Sequence, residues 1–260
     1  MDILNYTLDN FERFLFVFLR VMGILTIAPI FGHRSVVSQV KIGVALMVAV
    51  ALFPVVPLTL KAHPHLLLLV LALVKELLMG MLIGFVSLLI FIGVRFAGEM
   101  VGLDIGFGVA NLIDPLSAEQ VSIVGEFQSL LAVVIFLLVN GHHILLRGLA
   151  ASFDLVPLGG AQMPDLLGQS LIALTGKVFV IAVQLAAPVS ATLFLTTLAL
   201  GIVARTVPQM NVFVVGFPLK IVVGIAALMV TLPMFYSALV ALFGGLERDL
   251  STVLRLMSGR

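Results

Sequence analysis

Residues 166–204 read LLGQSLIALTGKVFVIAVQLAAPVSATLFLTTLALGIVA, an apolar stretch interrupted by one charge, Lys177, and one proline, Pro188. A helix needs about 20 apolar residues to cross the hydrocarbon core of a bilayer, so this stretch is almost twice as long as a simple span. It predicts a long helix in an apolar environment. It therefore indicates an all-α integral membrane protein.

The composition of the whole chain agrees with that class. Of 260 residues, 62% are hydrophobic and 10% are charged, whereas soluble domains carry about 25% charged residues. A soluble monomer and a disordered chain are therefore excluded. The formal net charge of +1 provides no basic field for nucleic acid. We expect the lipid bilayer and apolar proteins as neighbours, and no nucleic acid.

Six apolar runs organise the chain, which we interpret as one membrane domain over residues 1–260 with a short amphipathic tail over 244–260. The runs cover residues 14–31, 36–58, 66 to beyond 93, 121–139, 166–204 and 219–243, and the longest polar connectors cover 95–120 and 141–165. If all six runs cross, six basic residues lie on one side and five on the other. Basic residues are normally enriched on the cytoplasmic side of a membrane protein, so this near-equal division predicts no orientation of the chain. Six simple spans in a bilayer are therefore an insufficient description of this protein.

Several charges lie inside these apolar runs. They are Arg20, Lys75, Glu76, Arg95, Glu99, Glu126, Lys177 and Lys220. A charge in an apolar medium is costly unless it is paired or faces water. The charges either line an aqueous path or pair across subunit contacts, or they snorkel and pair locally, as Arg95 and Glu99 can at i,i+4.

A ladder of glycines leads to a segment that we interpret as a candidate pore-facing loop. Glycines at 80 and 84, and again at 98, 102 and 106, are spaced for close helix approach. The segment that follows has glycines, apolar residues and two polar residues, a mixture unusual for a solvent loop; an ordinary re-entrant or surface loop is the alternative. Its residues are Gly106, Phe107, Gly108, Val109, Asn111, Leu112, Ile113 and Asp114.

The sequence gives no indication of catalysis or of a cofactor. The five histidines, at 33, 63, 65, 142 and 143, have no carboxylate at zinc-protease spacing, and the chain has no cysteine. No nucleophile elbow, phosphate-binding loop or dinucleotide motif is present. We therefore expect no metal, no cofactor and no enzymatic activity. The prolines within apolar runs leave a secondary transporter or small-solute channel subunit as an alternative, since transporters break helices around their sites.

One block in the second half of the chain resembles the FliR family of flagellar type III secretion and its injectisome relatives. The block contains PQMNVF at 208–213 and PLK at 218–220. Its individual matches include Arg205, Pro208, Gln209, Asn211, Pro218 and Lys220. Three further blocks match: Arg20 followed by residues 28–32; positions 97, 98, 102, 105, 106, 114 and 115; and Asn140-Gly141-His142 with Ser152-Phe153 and Pro157-Leu158-Gly159. The resemblance spans nearly the whole chain, and the length and the residue 140–142 block favour the flagellar apparatus.

This resemblance implies long bent helical hairpins packed into a helical export-gate complex in the bacterial inner membrane, at the flagellar basal body. It implies FliP-type and FliQ-type subunits and a FlhB-type protein as partners, with unfolded export substrates passing through. It also implies that the segment over residues 106–114 plugs the channel. The residues expected to support assembly or structure are Arg20, Lys75, Glu76, Arg95, Glu99, Lys177, Pro188, Arg205, Pro208, Gln209, Asn211, Pro218 and Lys220.

Overall fold

The computed structural model describes residues 2–32, 36–56, 66–107, 122–162, 164–209 and 211–258. Within these ranges every regular element is a helix. The helices are α1 (Asp2–Ile27), α2 (Ser38–Leu52), α3 (Leu66–Ile105), α4 (Ile123–Leu138), α5 (Gly141–Leu155), α6 (Asp165–Thr206) and α7 (Val212–Met257). The prediction of an all-α protein is confirmed.

The overlong apolar runs are continuous helices. α3 has 40 residues and α6 has 42. α7 has 46 residues and includes both the last apolar run and the tail as far as Met257, so the tail begins without a helix break at its glycine pair. Pro188 lies inside α6, and Pro218 and Pro233 lie inside α7. These prolines interrupt neither helix.

The connector predicted over residues 141–165 is wrong in its first part, because α5 occupies it. Leu145, Leu149 and Phe153 are buried along one side of α5, at the four-residue spacing of an amphipathic helix. Arg147 and Asp154 on the exposed side lower the mean hydropathy of the segment. A search for continuous apolar runs therefore overlooks it.

Three described helices, α3, α6 and α7, are long and apolar enough to cross a membrane, and a fourth span results if α4 and α5 are counted as one broken span. Six spans were suggested by the apolar runs. α2 has only 15 residues, about 22 Å at 1.5 Å per residue, which is shorter than the hydrocarbon core. The structure thus supports a membrane protein with fewer plain spans than the runs suggest.

The chain divides into two compact units. Unit 1 contains Met1–Leu89, Asn140–Leu174 and Phe243–Arg260, and unit 2 contains Ile90–Val139 and Thr175–Leu242. Each unit is assembled from segments distant in sequence, with α3, α6 and α7 contributing to both. The single domain expected from the sequence stays a prediction.

In unit 1, α1 and α3 approach each other at a pair of glycines. Gly23 and Gly80 face one another so closely that a Cβ on Gly80 would overlap the carbonyl oxygen of Arg20. Further along, Gly84 lies against Ile24 and Ile27. Small residues four apart permit such backbone contact, so the first pair of the glycine ladder serves packing between α1 and α3.

In unit 2, the second part of the ladder packs α3 against α4. A Cβ on Gly98 would lie 2.5 Å from the Cα of Gly125, which leaves no space for a side chain. Ser122 secures this crossing: its hydroxyl accepts a hydrogen bond from the N–H of Gly125, at 3.1 Å, and donates to the carbonyl of Gly98, at 3.3 Å. The same serine is the N-cap of α4.

Candidate functional site

The centre of unit 1 is a buried ion pair between α1 and α3. Arg20 and Glu76 are both 0% exposed, and Nε of Arg20 lies 2.5 Å from Oε2 of Glu76. A buried charge persists only if its remaining polar atoms are also satisfied. The structure shows several such partners around this pair.

The segment that ends α5 supplies those partners. Nη1 of Arg20 donates to the hydroxyl of Ser152, at 3.1 Å, and both terminal nitrogens donate to the carbonyl of Val156, at 3.2 Å. The backbone N–H of Gly159 donates to Oε1 of Glu76, at 2.8 Å. The guanidinium carbon also lies 4.3 Å from the ring centre of Phe153. We call Arg20, Glu76, Ser152, Val156 and Gly159 the polar cluster.

A tight turn positions the backbone part of the polar cluster. The N–H of Gly160 donates to the carbonyl of Pro157, at 2.9 Å, and Gly159 has a φ of 73°. A positive φ at the third position of a turn favours glycine. The Pro157-Leu158-Gly159 block therefore forms a turn that presents an N–H to the buried carboxylate.

In unit 2, the end of α3 is the base of the predicted plug. The N–H of Gly106 donates to the carbonyl of Leu103, at 3.1 Å, and the N–H of Phe107 donates to that of Gly102, at 3.0 Å. This pair of bonds, with a φ of 107° at Gly106, is a Schellman motif. Gly106 thus ends the helix and turns the chain towards the segment that follows.

Two neighbouring helices hold that helix end. Ile105 is fully buried, and a Cβ on Gly224 of α7 would lie 2.6 Å from its Cγ1. The ring of Phe217 lies against Gly106. On the α6 side, the hydroxyl of Ser190 donates to the carboxylate of Asp104, at 2.5 Å. We call Asp104, Ile105 and Gly106 the plug base.

Most of the predicted plug lies outside the described residues. Gly106 and Phe107 are placed, and both are partly buried. The others in the prediction are Gly108, Val109, Asn111, Leu112, Ile113 and Asp114, all within the range 108–121 that is not described.

The remaining predicted charges fall outside the polar cluster. Arg95 and Glu99 form an i,i+4 pair with Nε 3.1 Å from Oε1, and their side chains are 56% and 41% exposed. Lys75 and Lys177 are exposed, and Lys220 is partly buried. Glu126 is exposed in the first turn of α4, where a negative charge complements the helix dipole.

The residues of the strongest sequence block lie around the connection from α6 to α7. Arg205 is in the last turn of α6, and Pro208 and Gln209 follow in an exposed turn. Oδ1 of Asn211 accepts a hydrogen bond from the N–H of Val214, at 3.4 Å, at the start of α7. Pro218 is exposed within α7. This block therefore forms a helix connection, and the structure does not bring it into the polar cluster.

Sequence reasoning did not select Asp104, Ser190 or Phe217. Ser152 matched the pattern of the FliR family, but the match did not indicate its contact with Arg20. Asp104 lies just before the segment over residues 106–114, and its partner Ser190 is 86 residues away along the chain. Among the described residues, no group of three or more metal-binding side chains occurs.

Comparison with known proteins bears directly on this arrangement. The sequence profile of "Bacterial export proteins, family 1" matches residues 11–246. The chain belongs to this family. The matched region includes the polar cluster, the plug base and most of α7, so both features described above lie within the part shared with the family.

Named relatives in this family are flagellar proteins. The chain is 39% identical over 239 residues to the "Flagellar biosynthetic protein FliR" of Bacillus subtilis, covering 90% of this chain and 91% of the relative. It is 34% identical over 216 residues to the protein of that name from Escherichia coli, covering 83% and 82%. The Aquifex aeolicus protein is 30% identical over 228 residues, covering 86% and 88%. These names state a role in flagellar biosynthesis.

Proposed function

We propose that this chain is a subunit of the flagellar type III protein export gate. In this proposal it lies in the bacterial inner membrane at the basal body, packs with FliP-type and FliQ-type subunits, and provides a docking surface for a FlhB-type protein. Unfolded export substrates pass through the assembled channel. The names of the relatives support the flagellar apparatus over the injectisome.

The distribution of exposed apolar side chains on α6 supports the proposal that the chain is part of a protein complex. Leu166 and Ile172 are 60% and 75% exposed near one end, and Ile202 is 68% exposed near the other. From residue 166 to residue 202 the helix rises about 54 Å. The hydrocarbon core is about 30 Å thick, and a tilt of about 40° still leaves a longer apolar span than lipid covers. Other proteins must therefore cover part of α6.

The unbroken course of α6 and α7 argues against the transporter alternative. Transporter sites use interrupted helices whose free ends bind the substrate. Here α6 continues through Pro188, and α7 continues through Pro218 and Pro233. Within the described residues neither helix is broken into two half-helices whose ends could bind a solute. The long continuous faces of α6 and α7 are better suited to packing against other helices.

The plug base provides a fixed starting point for the proposed plug over residues 106–114. Asp104 and Ile105 are tied to α6 and α7, whereas Gly106 ends the helix. In the proposal, Phe107, Val109, Leu112 and Ile113 exclude water at rest, as hydrophobic constrictions do in channels. Gly106 and Gly108 permit the bending that a passing chain requires.

The exposed polar residues are proposed as assembly contacts. Lys75, Lys177 and Arg205 are exposed on helices whose neighbouring side chains are apolar, and Lys220 is partly buried. A cation beside apolar surface is suited to an ion pair or helix C-terminus on a partner. The turn containing Pro208 and Gln209 places two further polar groups beside Arg205.

Co-purification tests the proposal. The affinity-tagged chain, expressed with its flagellar operon, should be recovered in a stable complex with FliP-type and FliQ-type subunits, and should aggregate when expressed alone. It should also restore motility to a strain lacking its own copy. A chain that is monodisperse alone in detergent, transports a small solute and recovers no such subunits would contradict the proposal.

Shortening the proposed plug tests the gating role separately. Deletion of residues 108–113 should leave the complex intact but raise the ion conductance of the resting channel, because the apolar constriction is lost. Ion flux into vesicles containing the purified complex measures this effect. The control removes residues 57–62, another segment outside the described residues. A plug deletion with unchanged conductance and normal complex yield would disprove the plug assignment.

Alanine substitutions test the proposed assembly contacts. Arg205→Ala and Lys220→Ala should reduce the yield of complex several-fold, with the conductance of the complex that forms unchanged. Arg147→Ala, at an exposed basic residue of α5, is the matched control and should leave the yield unaltered. Equal yields from all three variants would rule out the assembly role.

A further inference from the structure

The chain passes between its two compact units at four points, and we infer that three of these crossings bend, so that together they act as a hinge. The crossings lie between residues 89 and 90, 139 and 140, 174 and 175, and 242 and 243. The bending is a property of this chain, whereas its expected effect on export rests on the proposed function.

In α6 the crossing coincides with an unpacked glycine. Gly176 lies two residues past Leu174, the last residue of a unit 1 segment, and a Cβ on Gly176 would meet nothing within 4 Å. Leu174 and Val178, on the other side of the helix, are buried. Glycine inside a helix is less stable than alanine, and within the described part of the chain no close approach requires it here.

The crossing in α7 repeats this arrangement. Gly244 lies two residues past Leu242, the last residue of a unit 2 segment, and a Cβ on it would also meet nothing within 4 Å. Gly245 follows, and a Cβ there would lie 3.8 Å from Nη2 of Arg248, an ordinary contact. α7 is continuous through both glycines. Since kinks in helices form at glycines, two adjacent glycines make this the softest turn of α7.

The crossing between α4 and α5 has already left the helical conformation. Asn140, the first residue of its unit 1 segment, has a φ of 57°, a left-handed conformation that asparagine tolerates. Its side chain makes no capping hydrogen bond to α5. The two helices meet at an angle of 65°. A single residue between two helices is the usual form of a hinge, because it absorbs the change in φ and ψ.

The fourth crossing, in α3, is held firmly and is the pivot of the proposed hinge. Gly84 and Gly93 flank this crossing, and both are packed. A Cβ on Gly84 would lie 3.0 Å from the carbonyl oxygen of Ile24, within unit 1, and one on Gly93 would lie 2.8 Å from Cγ2 of Ile181, within unit 2. The glycines of α3 therefore serve packing, whereas those at the α6 and α7 crossings do not.

Open glycines also occur away from the crossings, and they provide matched controls. Among the described helices, three further glycines have nothing within 4 Å of a Cβ: Gly43 in α2, and Gly168 and Gly201 in α6. An exposed glycine can also receive the backbone of a partner helix. A hinge and a packing site therefore have to be separated by experiment, and the size and helix propensity of the replacement separate them.

Alanine at both crossings tests the hinge. Gly176→Ala combined with Gly244→Ala fits without overlap, and alanine lowers the population of an opened helix about fourfold to fivefold at each position. In a strain lacking its own copy of the chain, secretion of flagellar protein should fall several-fold. The yield and melting temperature of the purified complex should be unchanged or higher. Gly43→Ala combined with Gly168→Ala should secrete normally.

Serine at the same two positions distinguishes bending from packing. Serine is larger than alanine but a weaker helix former. A hinge therefore predicts more secretion from Gly176→Ser combined with Gly244→Ser than from the alanine pair. A close contact with a partner helix predicts the opposite order, together with a lower yield of complex.

Spin labels measure the bending without reference to export. The chain has no cysteine, so Glu126→Cys in unit 2 and Arg147→Cys in unit 1, both at exposed positions, provide two unique labelling sites. Double electron–electron resonance on the purified complex gives the distribution of distances between the labels. The alanine pair at residues 176 and 244 should narrow this distribution, and the control pair at residues 43 and 168 should leave it unchanged.

Three results would overturn the hinge: equal secretion from the crossing and control alanine pairs, serine as harmful as alanine, or equal widths of the distance distributions. Failure of the proposed function looks different. In that case the unsubstituted chain does not restore secretion, and the widths of the distance distributions alone decide whether the hinge exists.

Discussion

Units 1 and 2 bury their surfaces in different ways. Unit 1 surrounds a fully buried ion pair whose polar atoms are bonded by three segments of the chain, with two helix backbones in contact beside it. Unit 2 has an apolar cavity and large apolar side chains exposed on α6 and α7, including Val230 at 80%. Exposed apolar surface of this kind marks an interaction site. Unit 1 also exposes large apolar side chains, including Leu66 at 78% and Val55 at 76%, so both units require neighbours. The two units differ in their interiors, which hold a bonded ion pair in unit 1 and an apolar cavity in unit 2.

The largest expected effect comes from removing the buried carboxylate of unit 1. Glu76→Gln leaves the Arg20 guanidinium buried without a counter-charge, and such losses cost about 3–5 kcal/mol. Thermal and chemical unfolding of the chain purified together with its partner subunits, followed by helical circular dichroism, measures the loss. Glu126→Gln, at an exposed carboxylate of unit 2, is the control and should change stability by less than about 1 kcal/mol.

A double substitution sharpens this test. Arg20→Met combined with Glu76→Leu removes both charges and replaces them by apolar groups, so it should be less destabilising than Glu76→Gln alone. If Glu76→Gln were as mild as Glu126→Gln, the buried pair would not be what distinguishes unit 1.

The next effect concerns the backbone contact in unit 1. In Gly80→Ala the new methyl group overlaps the carbonyl of Arg20, and overpacking of this kind costs about 1–3 kcal/mol. Gly176→Ala, in the same type of helix but with nothing within 4 Å, should be neutral or stabilising by up to about 1 kcal/mol. Melting temperatures of the two variants, measured side by side, check the difference; equal melting would refute the close contact.

Unit 2 should respond more weakly to loss of a hydrogen bond at the plug base. Ser190→Ala removes the donor to Asp104 and should cost about 1 kcal/mol. Ser237→Ala is the control, because its hydroxyl is exposed and bonds only within its own helix, to Met234. The free energies of unfolding of the two variants should differ by about that amount. If Ser190→Ala lowered the free energy of unfolding by more than Glu76→Gln does, the proposed contrast between the units would be reversed.

The smallest effect is expected at the exposed pair of α3. Arg95 and Glu99 are 56% and 41% exposed, and exposed i,i+4 pairs couple by about 0.3–0.5 kcal/mol. A double-mutant cycle with alanine at both positions measures this coupling and its decline at high salt. A coupling above about 2 kcal/mol would mean that a partner or the membrane shields the pair.

The sequence predicted features that depend on local spacing or on composition. The length of α6, the helical class and the pairing of Arg95 with Glu99 follow from apolar runs and the i,i+4 rule. α3 also ends at a glycine, Gly106, a residue type that favours the end of a helix. The partner of Arg20 could not be predicted in this way, because Glu76 is 56 residues away and several other charges had the same local character.

The residues of the candidate sites were equally difficult to predict from the sequence. Gly159 belongs to the polar cluster through its backbone N–H. The glycine fits the turn, but its residue type does not indicate that this N–H bonds the carboxylate of Glu76. Gly176 becomes notable only because α6 passes from one unit to the other beside it and nothing packs against it. Glu126, which carries a charge and was therefore selected, is exposed. Tertiary position, and not residue type, decides such cases.

The separation of Arg20 and Glu76 also has a consequence for biosynthesis. A ribosome adds about 5–20 residues per second, so the 56 residues between the pair take about 3–11 s to synthesise. During that interval α1 has left the peptidyl-transferase centre, but Glu76, the partner of Arg20, has not yet been synthesised. The turn at Gly159 is made later still. The first helix must therefore wait for α3 before it can take its buried position, and a pause in translation between the two would prolong its exposure to quality-control proteases.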